Sequence, residues 1–388
     1  MPPLDNATIQ RYRELFPVTQ HWVYLNHAGV GPISRRVAEA VEIYNREALE
    51  QGYTRGGAWH QRVEEIRRSC ASLIGAETGE VAFVKNTSHG LSLAARGLEL
   101  GEGDEVLISD LEFPANVYPW MALEKRGVVL KKIPARNGGL DLGRLADLMS
   151  ERTKVLCLSS VAYGTGYRLP LAEVGKLCRD LGVFFAVDAI QSLGAFPIDV
   201  ERDHIDFLSA DAHKWMLGHE GIGMIFVRKA WLDRIEPALL GWNSVAGCLD
   251  FDRIDFRLKS DARRYEEGSQ NGLSIYGMGA AVELLLEVGV ERIAGRILEL
   301  TEILIAGLGE MGCRLRTPLE PALRSGIVSF DLADDPEKRK LQDLERLLYE
   351  NGIYAAIRAG GLRLSPHFYN TEGEMRHALA TIQKGLNR

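Results

Sequence analysis

The chain reads as an α/β protein with a mainly parallel, helix-covered sheet and a smaller α+β unit at its carboxyl end. Three observations predict this: seven short apolar runs, helical stretches between them, and a change of texture after Gly289. The strand-like runs fall at 81–85, 106–109, 128–133, 155–159, 184–187, 206–209 and 222–227. Most are short and nearly continuously apolar, as strands covered by helices on both faces must be. Helical spacing marks Arg35–Gln51 and Leu171–Leu181, and the run 275–286 predicts a long helix bridging the two units. Beyond it come a helix at 290–309, a strand at 327–330, a helix at 338–351 and a terminal helix from Glu372. The large unit is expected at 18–288 and the small one at 289–388, with 1–17 packing on the latter. No repeat or low-complexity linker interrupts the pattern.

Composition narrows the function classes. The chain has 388 residues, 46% of them hydrophobic and 26% charged, which is ordinary for a globular protein of this size. Its net charge of -7 argues against a nucleic-acid partner, which would need a basic stripe. The opening Met1-Pro2-Pro3-Leu4-Asp5-Asn6 lacks the basic and apolar regions of a signal peptide, and no run is long and apolar enough to span a bilayer. A cytoplasmic, membrane-free protein is the expectation. Cys70, Cys157, Cys178, Cys248 and Cys313 show no CxxC spacing, which suits reduced thiols and predicts no metal site.

Chemistry concentrates between Phe184 and Val227. Asp188 closes an apolar strand, and in an open α/β sheet ligands bind outside the carboxyl ends of strands. A carboxylate there favours a cationic partner such as a protonated pyridine nitrogen. Lys214 follows the next strand, in His213-Lys214-Trp215, and a lysine in a dry wall loses its proton readily and becomes a nucleophile. An acid for a ring nitrogen and an amine for a carbonyl together describe a pyridoxal phosphate site. His213 is placed to donate to the phosphate. Asn86-Thr87-Ser88-His89-Gly90, between a strand and a helix, offers hydroxyls and backbone donors for that anion. Phe113, in Glu112-Phe113-Pro114-Ala115-Asn116, emerges at the same sheet edge and can stack on the ring. Arg363, alternating with apolar residues before a helix, matches the α-carboxylate of an amino acid with two charge-assisted bonds.

Val187-Asp188-Ala189-Ile190-Gln191-Ser192 followed by Ser209-Ala210-Asp211-Ala212-His213-Lys214-Trp215 resembles the class V aminotransferase family of fold type I pyridoxal phosphate enzymes. The resemblance implies that Lys214 is the Schiff-base lysine, Asp188 the partner of the pyridine nitrogen, Gln191 a donor to the phenolic oxygen, and His213, Thr87, Ser88 and His89 phosphate contacts. It implies a carboxylate arginine at Arg363, with Arg358 as a companion, and a substrate loop at Asn26-His27-Ala28-Gly29. Glu267-Gly268-Ser269-Gln270-Asn271 resembles the turn that carries a hydroxyl, here Ser269, to the phosphate of a second subunit, so a homodimer with a shared active site is expected. His367-Phe368-Tyr369-Asn370-Thr371 resembles isopenicillin N epimerase. Cysteine desulfurases differ: they carry a nucleophilic cysteine where residues 354–362 have none, usually a histidine where Phe113 stands, and often an asparagine at the place of Val161. The expected activity on a small amino acid is of C–S lyase or aminotransferase type, with epimerisation, desulfuration and a catalytically silent scaffold as alternatives.

Overall fold

The computed structural model describes residues 2–387 apart from Asn137, Asp334 and Pro336. Seven strands pair into one sheet: β1 Val81–Val84, β2 Glu105–Ser109, β3 Val129–Ile133, β4 Thr153–Ser159, β5 Phe184–Asp188, β6 Phe207–Asp211 and β7 Gly223–Val227. Their spatial order is β1-β7-β6-β5-β4-β2-β3. Only β7 runs antiparallel to its neighbours. All seven expected strands are present, shifted by a residue or two at their ends.

The sheet is apolar on both faces because each face has its own core. Phe185, Val187, Leu208 and Ala210 point into one, while Phe184, Ala186, Phe207 and Ile225 point into the other, following the two-residue alternation of a strand. The helix Thr87–Gly97 lies against the second face, close enough that a Cβ on Gly90 would stand 2.2 Å from Ser209 Oγ and 2.6 Å from Ile225 Cγ2. Only glycine lets this helix start sit so low over the strand ends.

A second sheet is made of β8 Arg314–Leu315, β9 Val328–Asp331, β10 Ala356–Arg358 and β11 Gly361–Leu364, in the antiparallel order β8-β9-β11-β10. A third core, including Leu300, Leu304, Phe330, Leu344, Leu362 and Ile382, fills the space between this sheet and its helices. The chain bends by 80° between the helices Gly272–Val288 and Val290–Glu310. The second of these helices serves both bodies: Ile293 and Ile297 lie in the large-sheet core, Leu300 and Leu304 in the small one. At the amino end Phe16 stacks on Tyr369 at 3.9 Å, Arg13 pairs with Glu374 at 2.7 Å, and Tyr12 Oη donates to Glu287. Residues 4–16 thus pack at the junction of the two bodies.

One long helix, Gly56–Leu73, was not legible in the sequence. Its buried face reads Val63, Ile66, Arg67, Cys70 and Leu73, so an arginine sits in what should be an apolar stripe. Arg67 is 1% exposed and held by Glu266, with Nη1 to Oε1 at 2.5 Å and Nη2 to Oε2 at 3.1 Å. Glu266 also accepts from the Phe83 N–H and from Gln270 Nε2, which ties this helix, β1 and the 267–271 turn to one carboxylate. Removing one partner of a buried, hydrogen-bonded ion pair leaves the other charge uncompensated. Glu266→Ala is therefore expected to lower unfolding stability by about 3–5 kcal/mol. Urea unfolding of the purified variant checks this, and a loss of a few tenths of a kcal/mol would show that the pair is incidental.

Candidate active site

Asp188 ends β5 and stands beside Ser209 of β6, so the turn after β6 delivers Lys214 to the same edge. Asp188 is 2% exposed, and its Oδ1 accepts from the Ile190 N–H at 3.0 Å. Burial raises its carboxyl to about 6, against the pull of that N–H and of the Lys214 charge. Burial likewise lowers the Lys214 amine to about 8; the Asp188 carboxylate acts upward and the Arg363 guanidinium downward. An amine with that value is partly unprotonated at neutral pH and ready to attack a carbonyl.

The lysine turn is held from three sides. Gly31 N donates to His213 O at 2.7 Å, His367 Nε2 donates to Trp215 O at 3.0 Å, and Trp215 Nε1 donates to Gln191 Oε1 at 2.9 Å. Gln191 Nε2 in turn donates to Ala28 O. One amide hydrogen of Gln191 is then left for the phenolic oxygen expected from the resemblance.

At the other end, Asn86 caps the helix Thr87–Gly97, its side chain accepting from the His89 N–H at 2.8 Å. Thr87 Oγ1 is buried and has no hydrogen-bond partner among the described residues, while Ser88 is exposed at the next position. An orphaned hydroxyl at a helix start is a donor aimed at an absent anion. His213 Nδ1 stands 2.9 Å from Asp211 Oδ1, an ion-pair contact outside hydrogen-bond alignment. His89 is drawn away from this group: its Nδ1 accepts from the Lys85 N–H at 3.3 Å, and its ring lines a separate cavity of about 130 Å³ with Glu267, Ser269 and Gln270. Burial holds its pKa below the ordinary value. Ser269 is itself exposed.

Phe113 is 45% exposed and faces the lysine, with Lys214 Nζ 5.7 Å from its ring centroid and Tyr163 packed edge-on at 5.2 Å. Arg363 is 2% exposed, yet no acid pairs with it among the described residues. Its Nη1 donates to Tyr163 O at 2.9 Å, its Nη2 makes a long 3.4 Å contact with Asn26 Oδ1, and its Nε has no partner. Burial and the nearby Arg358 charge bring its pKa down to about 10, so it remains a cation. Arg358 is exposed and bonds only its neighbour's carbonyl, Ile357 O.

His27 corrects the expectation that it lines the substrate pocket. It is fully buried, donating from Nδ1 to Ser365 O at 2.8 Å and accepting at Nε2 from Tyr369 Oη at 2.6 Å, so neither nitrogen is free for a ligand. The residues 367–370 are equally buried, with Asn370 Oδ1 accepting from the His367 N–H. The likeness of that run to an epimerase therefore lies in junction packing and not in groups presented to substrate.

Glu112 was missed although it adjoins Phe113 in the motif itself. Its carboxylate accepts from Ser159 N at 2.9 Å, Ser159 Oγ and Asn116 Nδ2 at 2.8 Å. Burial nevertheless raises it to about 7, with Asp188 adding to the rise. An acidic residue at a strand's carboxyl end was the available signal. Among the described residues no group of three or more His, Cys, Asp or Glu side chains is arranged to hold a metal ion.

A buried acid, a low-pKa amine, an orphaned hydroxyl at a helix start and a half-exposed ring fit pyridoxal phosphate, and the sheet order around them is that of the fold type I enzymes. The chain belongs to the class V aminotransferase family, whose model matches residues 23–383. A protein described as a probable cysteine desulfurase of Methanothermobacter thermautotrophicus is 28% identical over 390 residues, covering 96% of each chain. An uncharacterized aminotransferase of Bacillus subtilis is 30% identical over 379 residues, covering 96% of this chain and 97% of its own. Among solved structures, the cystine C-S lyase C-DES in complex with its product cysteine persulfide superimposes with a TM-score of 0.88 at 25% identity, over 95% of this chain and 99% of that one. A variant of C-DES holds glycine covalently linked to its PLP cofactor and superimposes with a TM-score of 0.89 at 25% identity, over 96% and 98%. None of these relatives is described as an epimerase.

The unpaired Thr87 hydroxyl makes a two-sided expectation. Thr87→Val keeps the shape and removes a buried polar atom that the protein itself leaves unsatisfied, so the apoprotein should melt no lower than wild type. Cofactor affinity should fall about tenfold or more, the loss of a hydrogen bond to a charged group. Fluorescence titration with pyridoxal phosphate and thermal melting of the apoprotein check both halves.

Proposed function

We propose that this protein is a pyridoxal phosphate-dependent C–S lyase acting on a sulfur-containing amino acid. The observation that carries the reading is Arg363: a buried guanidinium beside Lys214, without a counterion among the described residues, suits a carboxylate. Bound between Lys214, Asp188 and Phe113, pyridoxal phosphate would supply an electron sink that acidifies the Cα–H bond of the amino acid. Asp188 would hold the proton on the ring nitrogen, and Phe113 would cover the ring. Arg363, with Asn26 beside it, fixes the α-carboxylate and so aligns Cα with Lys214. Lys214 Nζ takes the Cα proton, the C–S bond breaks, and sulfur leaves with the bonding pair as a thiolate or persulfide. Hydrolysis of the carbon fragment yields pyruvate and ammonia.

Desulfuration of free cysteine needs a thiol on the enzyme to accept sulfur. Residues 353–364 instead form a compact run of strands turned tightly at Ala359-Gly360, with no cysteine in it. Of the five thiols, four are buried and only Cys248 is partly exposed. Transamination is the second reading, supported by the Bacillus relative and by the same single proton carrier. Epimerisation would need a second proton carrier opposite Lys214, and Phe113 cannot serve.

A shared active site in a homodimer belongs to the same reading. Leu249, Phe251, Ile254 and Phe256 are 71–98% exposed on the segment leading towards the Ser269 turn, an apolar surface suited to a second copy.

Two outcomes test the assignment. Incubated with L-cystine, the holoenzyme should release pyruvate together with a persulfide or sulfide, and Lys214→Ala should lose both the visible absorption band and the product; keto acid with aminated cofactor instead would establish the aminotransferase. Because only the unprotonated amine attacks, the rate at which apoprotein and added pyridoxal phosphate develop the visible band should rise with pH through about 8 and then level. Asp188→Asn removes the charge that raises this value, so its midpoint should move lower. A midpoint at the ordinary lysine value of 10.5 would contradict the desolvated lysine.

A further inference from the structure

Elimination of sulfur from an amino acid moves two protons, and Lys214 accounts only for the one that leaves Cα. The sulfur departs with the C–S bonding pair and stays negative until a proton reaches it, so an acid beside it eases its departure. Phe113 has no proton to give. The titratable groups around Lys214 are engaged elsewhere. Both oxygens of Glu112 accept from Ser159 and Asn116, and His213 stands against Asp211. His27 and His367 have both ring nitrogens bonded, and His89 lines a separate cavity.

Tyr163 follows β4 by four residues, at the same carboxyl edge as Asp188, whose carbonyl accepts from the Ser160 N–H. Its turn is tightly held: Ala162 N donates to Tyr167 O, Gly166 N to Ala162 O, and Thr165 Oγ1 to Gly138 O. A Cβ on Gly164 would stand 2.6 Å from a side-chain atom of Ala359, so the turn lies directly against the hairpin between β10 and β11. The main-chain carbonyl of Tyr163 takes Arg363 Nη1 at 2.9 Å, and its ring packs on Phe113 with centroids 5.2 Å apart at 78°. One side chain thus adjoins both the carboxylate receptor and the aromatic wall that faces Lys214. Its phenol is near enough to Arg363 to act on that charge. The ring is half-buried, yet its Oη bonds no described residue, whereas the hydroxyls of Tyr24, Tyr265 and Tyr369 donate to Val30 O, Ile235 O and His27 Nε2. A phenol with an O–H donor and no protein acceptor is left facing the site.

We propose that Tyr163 is a catalytic acid whose Oη donates a proton to the substrate sulfur as the Cβ–S bond breaks. This deepens the reading of the protein as a C–S lyase and rests on it. The bonding pair goes to sulfur, the Tyr163 proton joins it to give a neutral thiol or hydropersulfide, and the phenolate regains a proton from the water that the half-buried ring meets. The proton goes to sulfur and not to Cα, so Lys214 remains the carrier at that carbon.

The test varies the leaving group on the holoenzyme and measures pyruvate. S-ethyl-L-cysteine expels a thiolate that gains from protonation, whereas β-chloro-L-alanine expels chloride, which needs no acid. Tyr163→Phe should lower kcat for the thioether about tenfold or more beyond any loss with the chloride, short of the roughly hundredfold common for general acids because a thiolate is already a fair leaving group. Phenylalanine keeps the ring on Phe113 and the main-chain carbonyl on Arg363, so the variant keeps the fold. The α-methyl analogue of S-ethyl-L-cysteine has no Cα proton to lose and only binds. Its dissociation constant, read from the cofactor's visible spectrum, should differ by less than about threefold between variant and wild type, which assigns the loss to the step and not to binding. Equal effects on the two substrates, or a loss matched by weaker binding of the analogue, would overturn the proposal. A wild type that forms pyruvate from neither substrate would overturn the lyase reading as well, whereas one that forms it from both, with the variant affected equally, would sink the Tyr163 step alone.

Discussion

Desolvated charge at the carboxyl edge of the large sheet is the constraint on which the site depends. Asp188, Glu112, Lys214 and Arg363 all lie where water is scarce, and each is displaced from its ordinary protonation equilibrium chiefly for that reason. The sheet achieves this by being apolar on both faces right up to its strand ends, so a polar side chain at the last position of β5 has no path to solvent except through the pocket. The same burial that lifts two acids depresses an amine. A single geometric fact thereby prepares acid, base and anion receptor together.

A short stretch near the amino end keeps these groups in register although it contributes little chemistry. Leu25 O accepts from Ser365 N, Asn26 Oδ1 touches Arg363, Ala28 O accepts from Gln191, and Gly31 N donates to His213 O. Seven residues thus connect the small sheet's arginine, the glutamine that holds Trp215 and the lysine turn. The junction helix Val290–Glu310 joins the two bodies by packing, whereas this strap joins them by named hydrogen bonds at the site.

Much of this was legible in the sequence because strands covered on both faces announce themselves as apolar runs, and the residues at their carboxyl ends are the ones that meet a ligand. Asp188, Lys214, Thr87 and Phe113 come from that logic alone. The helix Gly56–Leu73 was hidden because its inward face includes Arg67, whose partner Glu266 is 199 residues away. His27 misled for the converse reason: beside a motif, a histidine looks chemical, and only tertiary structure reveals that Ser365 and Tyr369 occupy both its nitrogens. Glu112 went unremarked since its three donors come from the neighbouring strand end and from its own turn. The absence of a cysteine in 354–362, by contrast, needed no structure, and the tight turn at Ala359-Gly360 gives it a physical setting.

The buried histidines at the junction have a bearing on acid tolerance. His27 and His367 are held neutral, the first well below the ordinary value of 6.5 and the second down to about 4, mainly by burial. The unfolded chain protonates both near their ordinary value while the folded chain does not, so their contribution to stability is complete above that value and drains away as pH falls towards 4. His367 braces the lysine turn and His27 the strap beside Arg363. Acidification accordingly works against the packing of the two bodies at the site itself.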